Sequence, residues 1–543
     1  MLRLHEIRLP LDHDAAALCA AVTERLGAAP LTMQVARRGV DARKRTDIRV
    51  VYSVDVTPAA PPPSHPRNTP APDMRYRFVA HAEAPLAARP VVVGTGPCGI
   101  FAALLLAQMG LRPIILERGQ PVRPRTQDTW GLWRRNILKP ESNVQFGEGG
   151  AGTFSDGKLY SQIRDPLLHG RKVLTEFVKA GAPEEILWVN RPHIGTFRLV
   201  SMVERMRAEI EALGGEYRWG TRMDGVLLDD DRSVRGLVLS DGTELAARHV
   251  VIALGHSARD SFAMLHEAGV AMAAKPLSIG VRIEHPQSLI DRARFGNAAG
   301  HRTLGAADYK LVHHASNGRG VYSFCMCPGG RVVAAASEPG RLVTNGMSQY
   351  SRAEFNANAG IVVGITPDDF PQPGPLGGIE FQRHWEARAF EAGGGTYAAP
   401  AQRVEDFLAG RPSTALGHVT PSYQPGVTPT DLALCLPDFA VAAIRGALPA
   451  FGRQLRGFDM ADAVMTGVET RTSSPLRIAR TALCESPNTP GLYPAGEGAG
   501  YAGGILSAGV DGIRVAEAVA CAMLGTELPA ERRRAPPVTD GWG

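Results

Sequence analysis

Gly94, Gly96 and Gly99 fit the spacing G-x-G-x-x-G, and an acid, Glu117, follows them after a short apolar stretch. These residue types suit the holding of a pyrophosphate and a ribose. The first glycine permits a tight turn, the second lets the backbone approach the phosphates, and the third allows a helix to pack closely on a strand. Pro97 is read as a further contact, and the helix that follows the turn directs its free N–H groups and positive dipole end toward the same point. A carboxylate at Glu117 accepts from ribose hydroxyls and disfavours a 2′-phosphate. The less specific reading is a glycine-rich turn in an ordinary α/β domain. A lone glycine triplet carries little weight, but this one has its strand, helix, second strand and acid in order.

Other chemistry-bearing groups lie far along the chain. Ala495-Gly496-Glu497 is a second glycine–acid turn, followed by Gly503, Gly504 and Ile505 at the start of a long apolar helix. Gly147 to Lys158, GEGGAGTFSDGK, packs Gly149, Gly150, Gly152 and Thr153 into a loop able to bring backbone N–H groups against a cofactor. Arg118, Met223 and Gly255 are read as further cofactor contacts. Lys158 either stands near the reacting centre, steering hydride or binding an acidic substrate, or is simply exposed. Cys325 and Cys327 face one side of a strand, so their thiols are potential neighbours. They are either a catalytic dithiol, although a C-x-C bridge is strained, or two small core residues before a Pro328-Gly329-Gly330 turn. Arg471 either holds a carboxylate or phosphate or pairs internally with Glu469. His256, His313 and His314 receive no catalytic role. No zinc-binding, P-loop or Ser-His-Asp pattern is visible, so no metal is expected.

The elements that must position these groups follow from the patterning. Val91 to Val93 is a β-branched apolar run suited to a buried strand. CGIFAALLLAQMG is apolar nearly all round, as a helix inside an α/β layer should be. Pro113 to Leu116 forms the second strand. From Glu204 the chain reads as a helix, a strand and a β-meander turning at Asp229-Asp230-Asp231 and Asp241-Gly242, and then a buried strand, His249 to Ala253. Residues 1–57 read as a small α/β module, with a helix from Asp14 to Leu26 closed by Gly27. The expected divisions are therefore 1–57, a proline-rich linker at 58–88, a dinucleotide-binding domain at 89–270 and 476–528, an inserted domain at 271–475, and a disordered tail at 529–543.

At 543 residues the chain has room for two or three cores. Hydrophobic residues make up 44% and charged residues 21%, the balance of a soluble globular protein. No apolar run reaches the length of a membrane span, and the first residues have no signal-peptide core. Seven scattered cysteines argue against a disulfide framework and for a reducing, cytoplasmic setting. Residues 1–90 hold 13 Lys/Arg against 9 Asp/Glu, so most of the net charge of +5 lies there. Within them Arg37 to Arg49 is a basic cluster. It either faces an anionic partner such as RNA, a phosphorylated substrate or an acidic protein, or is a solvated loop lacking the aromatics that would stack bases.

The second glycine–acid–helix unit points to FAD, because an NAD-only dehydrogenase has no need of it. Several long stretches, VVGTGPCGIFAAL, PESNVQFGEGGAGTFSDGKL, SFCMCPGG, ETRTSSPLRI and GLYPAGEGAGYAGGILSAGVDGI, resemble the bacterial family of uncharacterised FAD-dependent dehydrogenases, often labelled NAD(FAD)-utilising dehydrogenases. The match covers nearly the whole chain. It implies a glutathione-reductase-like fold: a Rossmann-like FAD-binding domain assembled from two chain segments, an inserted α+β domain and a small N-terminal α/β module. In enzymes of that fold the acid equivalent to Glu497 bonds the ribityl chain. The following helix points its N-terminus at the pyrimidine end of the flavin, where negative charge collects on reduction. Glu117 then becomes a partner of the adenosine ribose. The expected activity is hydride transfer between non-covalent FAD and a small molecule, with NAD(P)H as transient partner. The alternatives are an RNA-modifying flavoprotein and a non-catalytic FAD-bound sensor or scaffold. The family brings no substrate.

Overall fold

A computed structural model describes residues 1–161 and 165–533. The first unit is a four-stranded antiparallel sheet of Leu2–Pro10, Thr32–Asp41, Arg49–Thr57 and Asn68–Pro70, with the first strand between the third and fourth. Strict alternation along Arg49–Thr57 buries every second side chain, as a strand with one packed face requires. The helix Ala15–Leu26 covers that face through Leu18, Val22 and Leu26. Asp14 caps it by accepting from Ala17 N at 2.8 Å, and Gly27 ends it in the left-handed region.

Residues 58–88, expected as a linker, are an ordered strap. Asn68–Pro70 adds the fourth strand to the first sheet. Tyr76, Phe78, Val79, Ala82 and Leu86 then pack on the next domain, and the Tyr76 hydroxyl donates to buried Glu517 at 2.6 Å. The proline content sets an extended path, and the apolar residues among the prolines dock it.

The second unit is a five-stranded parallel sheet in the order Leu492–Pro494, Val250–Ile252, Val91–Val93, Ile114–Glu117, Glu216–Trp219. The strand nearest the C-terminus is thus an edge of the sheet begun by Val91, so the two segments form one domain. The helices Pro97–Gln108 and Ile505–Leu524 are buried together on one face of it. A three-stranded meander, Met223–Leu228, Val234–Leu239 and Glu244–Ala246, lies beside it.

The inserted domain is a seven-stranded sheet centred on two ten-residue strands, Leu277–Pro286 and Asn356–Ile365, paired antiparallel along their full length. The helices Gly377–Ala392 and Asp438–Gln454 pack on it. The chain enters and leaves this domain through a two-stranded ribbon, Met272–Ala274 with Leu476–Ile478. In the segment expected to be a disordered tail, Ala530–Arg533 forms a helical turn, and Arg532 pairs with Glu517 at 3.0 Å. The remainder of that segment, 534–543, lies outside the described residues. Among the described residues no helix is long and apolar enough to cross a membrane.

Candidate functional site

A cavity of about 780 Å³ lies between the carboxyl ends of the parallel strands and the inserted domain. That is the place where open α/β sheets bind ligands, and the volume is within the range of ligand sites. Gly94, Gly96, Pro97, Glu117, Arg118, Gly150, Gly152, Met223, Gly255, Gly496, Glu497, Gly503, Gly504 and Ile505 all line it. Residues expected from two segments far apart in the chain therefore meet at one space. Gly99, Gly149 and Thr153 were expected among them but stand behind the wall. A Cβ at Gly99 would sit 1.9 Å from the Gly94 carbonyl oxygen, so this glycine allows the helix to press against its own turn. Gly149 is similarly pressed by the Thr153 hydroxyl.

The glycine turn is fastened from below. Glu117 is 5% exposed. Its carboxylate accepts from Thr95 N at 3.0 Å, Thr95 Oγ1 at 2.5 Å, Gly119 N at 2.8 Å and Gly147 N at 3.0 Å. These donors fill the acceptor positions of a carboxylate, so a ribose hydroxyl would have to displace one of them. Arg125, fully buried, donates to the carbonyl oxygens of Asn143, Val144 and Glu148 at 2.6–2.8 Å. Burial draws its pKa down to about 10, against the pull of Glu117 and Glu148. Together Glu117 and Arg125 clamp the glycine-rich loop against the first turn. At the rim Arg118 lies 4.2 Å over the Phe146 ring and pairs with Glu141 and Asp260.

The second turn has its own fastening. Gly496 N donates to Asp511 at 2.7 Å, and Arg480 grips Asp511 at 2.6 and 2.9 Å. Neither residue was singled out from sequence. The available signal was an acid, Asp511, within an otherwise apolar helical run. The helices Pro97–Gln108 and Ile505–Leu524 begin at Gly96 and Gly504, and neither receives a side-chain cap. Both open into the cavity.

The donors present suit a dinucleotide. Two helix N-termini point at one space. Gly150 at φ +58° lies so close to the first turn that a Cβ there would stand 2.7 Å from Gly96 Cα.

The inserted domain supplies the roof. Lys158 is half-buried rather than simply exposed, and its ammonium donates to the Met326 carbonyl oxygen. Burial opposes its charge, but Cys325, Cys327 and Asp156 outweigh that and raise its pKa. Asp156 is held in turn by Arg352 at 2.5 Å. Cys325 and Cys327 do not lie on a regular strand. The register of Gly320–Cys327 shifts between Phe324 and Cys327, which turns Cys325 into the cavity and buries Cys327 behind it.

The internal pair expected between Arg471 and Glu469 is absent. Glu469 pairs with Arg282 at 2.6 and 3.0 Å, whereas Arg471 pairs with Glu386 and donates to Ser257 and Ser337. Arg259 grips the other side of Glu386 at 2.6 and 2.9 Å. Burial alone would raise the Glu386 carboxyl, but the two guanidinium groups hold it well below the ordinary carboxylate range. The Arg471 guanidinium is thus engaged as a strut between the two domains and is not free as an anion clamp. Beside it burial, Arg471 and Arg259 pull His256 down to about 3, so it stays neutral. Burial pushes Glu469 upward against the pull of Arg282.

Four of the six basic residues of the cluster have partners within the protein. Arg37 to Asp41 belongs to a strand. Arg37 donates to Asn190, Arg38 lies over Trp188, and Arg43 and Arg49 pair with Asp41 and Asp47.

Fold and cavity together define a two-segment α/β domain with a glycine-lined cavity at the carboxyl ends of its parallel strands, roofed by an inserted domain. Residues 276–472 match the family described as FAD-dependent protein, C-terminal domain-like, and residues 1–57 match a domain of unknown function (DUF8436). A protein of Clostridium beijerinckii, described as an uncharacterized protein, is 46% identical over 525 residues, covering 95% of this chain and 98% of that one. The chain belongs to this family of uncharacterised bacterial FAD-dependent proteins. Among solved structures it is similar to L-amino acid deaminase from Proteus vulgaris, at 12% identity over 84% of this chain and 95% of the other, with a TM-score of 0.35. It is also similar to a mutant of the halogenase PltM in complex with FAD, at 13% identity over 82% and 71%, with a TM-score of 0.38.

Proposed function

We propose that the cavity binds FAD non-covalently and that the protein is an oxidoreductase acting on a small molecule, with NAD(P)H as transient electron partner. The carrying observation is the convergence of two uncapped helix N-termini, from segments some four hundred residues apart, on one cavity. In this reading the Gly94–Gly96 turn and the helix start at Pro97 hold the pyrophosphate. Arg118 and the loop fastened by Glu117 border the adenosine end, and Glu497 meets the ribityl chain. The helix start at Ile505 faces the pyrimidine end of the ring. Bound FAD supplies the hydride carrier. The protein orients the acceptor and excludes water, with Lys158, Asn345 and Glu469 on the roof side. Reduction of an unsaturated or carbonyl compound is the leading reaction class.

The test is direct. The purified full chain, with and without added FAD, is examined for flavin absorbance and then titrated anaerobically with NADH and NADPH. Yellow protein that bleaches with one of them supports the reading. Colourless protein that takes up no FAD refutes it. Yellow protein that neither nucleotide bleaches removes the nicotinamide partner.

A further inference from the structure

The flavin reading leaves the two thiols at the roof without a role. Cys325 sits at φ +43°, a left-handed conformation that non-glycine residues seldom adopt and that clusters at functional sites. It occupies the bulge in the strand Gly320–Cys327, and bulges re-aim side chains beside active sites. Cys325 reaches the cavity wall, while Cys327 is fully buried; both are free thiols. The Cys327 thiol donates to the Cys325 carbonyl oxygen at 3.3 Å, which holds the two cysteines side by side across the bulge. Two cations bracket the bulge. Lys158 donates to the Met326 carbonyl, and Arg282 donates to the Cys325 carbonyl at 2.9 Å. The remaining groups facing the pair are Glu469, already paired with Arg282, Asp156 beside Lys158, and the hydroxyls of Tyr160 and Tyr309.

We propose that Cys325 and Cys327 form a dithiol–disulfide couple opening onto the cavity, which reduces a small or peptidyl disulfide. Cys325 is the attacking thiolate and Cys327 the resolving thiol. Cys325 faces the cavity and Cys327 is buried behind it, and this placement assigns the order of attack. Cys327 alongside, with Lys158 and Arg282, holds the Cys325 thiol well below its ordinary range despite burial, and Cys325 together with burial pushes Cys327 up.

In the first step Cys325 Sγ attacks one sulfur of the substrate disulfide; a Cys325–S–S–R bond forms and the other half leaves as a thiolate. In the second, Cys327 passes its proton to that thiolate and attacks Cys325 Sγ; the second half leaves as a thiolate. The substrate disulfide is reduced by two electrons, and the cysteine pair is oxidised by two. An external dithiol restores the pair by the same exchange in reverse. A bridge over so short a loop is strained and readily reduced, as turnover requires.

The experiment uses the full chain carrying Cys19→Ser and Cys484→Ser, which removes the other accessible thiols. The probe is a nitroaryl disulfide that releases a coloured thiolate. A fast phase of two thiolates per chain is expected, ending in a Cys325–Cys327 peptide two hydrogens lighter by mass spectrometry. Cys327→Ser should release one thiolate and keep the aryl group on Cys325, and Cys327→Ala should do the same. Cys325→Ser should lose the fast phase with unchanged circular dichroism. Lys158→Met should slow the fast phase at neutral pH by at least about tenfold and recover it at higher pH, because loss of a cation raises the thiol pKa. Retention of the aryl group on Cys325 with Cys327 intact would overturn the proposal. So would a Cys325 no faster than Cys19 in the unmodified chain, or a fast phase surviving Cys325→Ser. Flavin absorbance recorded on the same samples tests the FAD reading separately, since the thiol phase needs no flavin.

Discussion

Glu386→Gln puts the strut between the two domains to a quantitative test. Glu386 is 0% exposed, and the guanidinium groups of Arg259 and Arg471 bond to its two oxygens from opposite sides. The amide keeps the shape but removes the buried charge that both cations share, leaving Arg259 with the half-buried Glu338 at 3.2 Å and Arg471 without a carboxylate among its hydrogen-bond partners. Breaking a buried ion pair by removing one partner costs about 3–5 kcal/mol, because the remaining charge stays buried and uncompensated. With about 2–4 °C per kcal/mol for a domain of this size, the transition of the inserted domain should fall by about 6–20 °C.

The assay is differential scanning calorimetry on the full chain, with flavin retention measured alongside. Replacing all three groups, Arg259→Met, Glu386→Leu and Arg471→Met, should cost much less than the single change, since an apolar triad leaves no orphan charge. The acid limb supplies an independent check. The Glu386 carboxyl is lowered in the folded state, so the unfolded chain binds its proton more readily. Its contribution to stability is complete above the unfolded value of about 4.3 and is lost as pH falls toward the folded value. Glu386→Gln should therefore flatten the fall in stability below about pH 4.3. A loss under about 1 kcal/mol, with an unchanged acid limb, would refute the idea that the two guanidiniums depend on this carboxylate.

Three further outcomes are expected. Gly96→Val has room against its protein neighbours, the nearest atom to a Cβ being 3.8 Å away, so it should leave the circular dichroism unchanged while weakening FAD retention at least tenfold by equilibrium dialysis. Asp511→Ala leaves Arg480 buried and frees Gly496 N; urea unfolding should show a loss of about 3–5 kcal/mol, and flavin should be released earlier than from the unmodified chain. Tyr76→Phe removes the hydroxyl that donates to Glu517; it should cost about 1.5–3 kcal/mol and speed limited proteolysis between residues 58 and 88.

The backbone half of the site was legible in the sequence, and the side-chain half largely was not. Gly94, Gly96 and Gly504 announce themselves because a turn or a capless helix start restricts which residue can stand there. The strands around Val91 and Val250 do so because a sheet covered on both faces demands continuous apolar residues. Ion pairs obey no such local rule. Arg471 is two residues from Glu469 yet pairs with Glu386, because the strand ends at Glu469 and Arg471 lies beyond it, where the folded domain brings the helix carrying Glu386 against it. The proline-rich stretch misled for a related reason: composition reports stiffness, whereas docking depends on where Tyr76 and Phe78 land.

The same division bears on how the cavity does chemistry. Its floor is built from main-chain N–H groups and helix ends, which suit the invariant parts of a dinucleotide and restrict the sequence chiefly at the glycines. Its roof is built from side chains, Lys158, Cys325, Asn345 and Glu469, each fixed by a charged or carbonyl partner in the inserted domain. Their spacing therefore depends on the seating of one domain over the other, and the Arg259–Glu386–Arg471 strut sets that seating. A change at Glu386 should accordingly alter reactions at the roof, including the reactivity of Cys325, more than it alters retention of a dinucleotide on the floor. A domain held only by its hinge ribbon, Met272–Ala274 with Leu476–Ile478, would lose both in proportion.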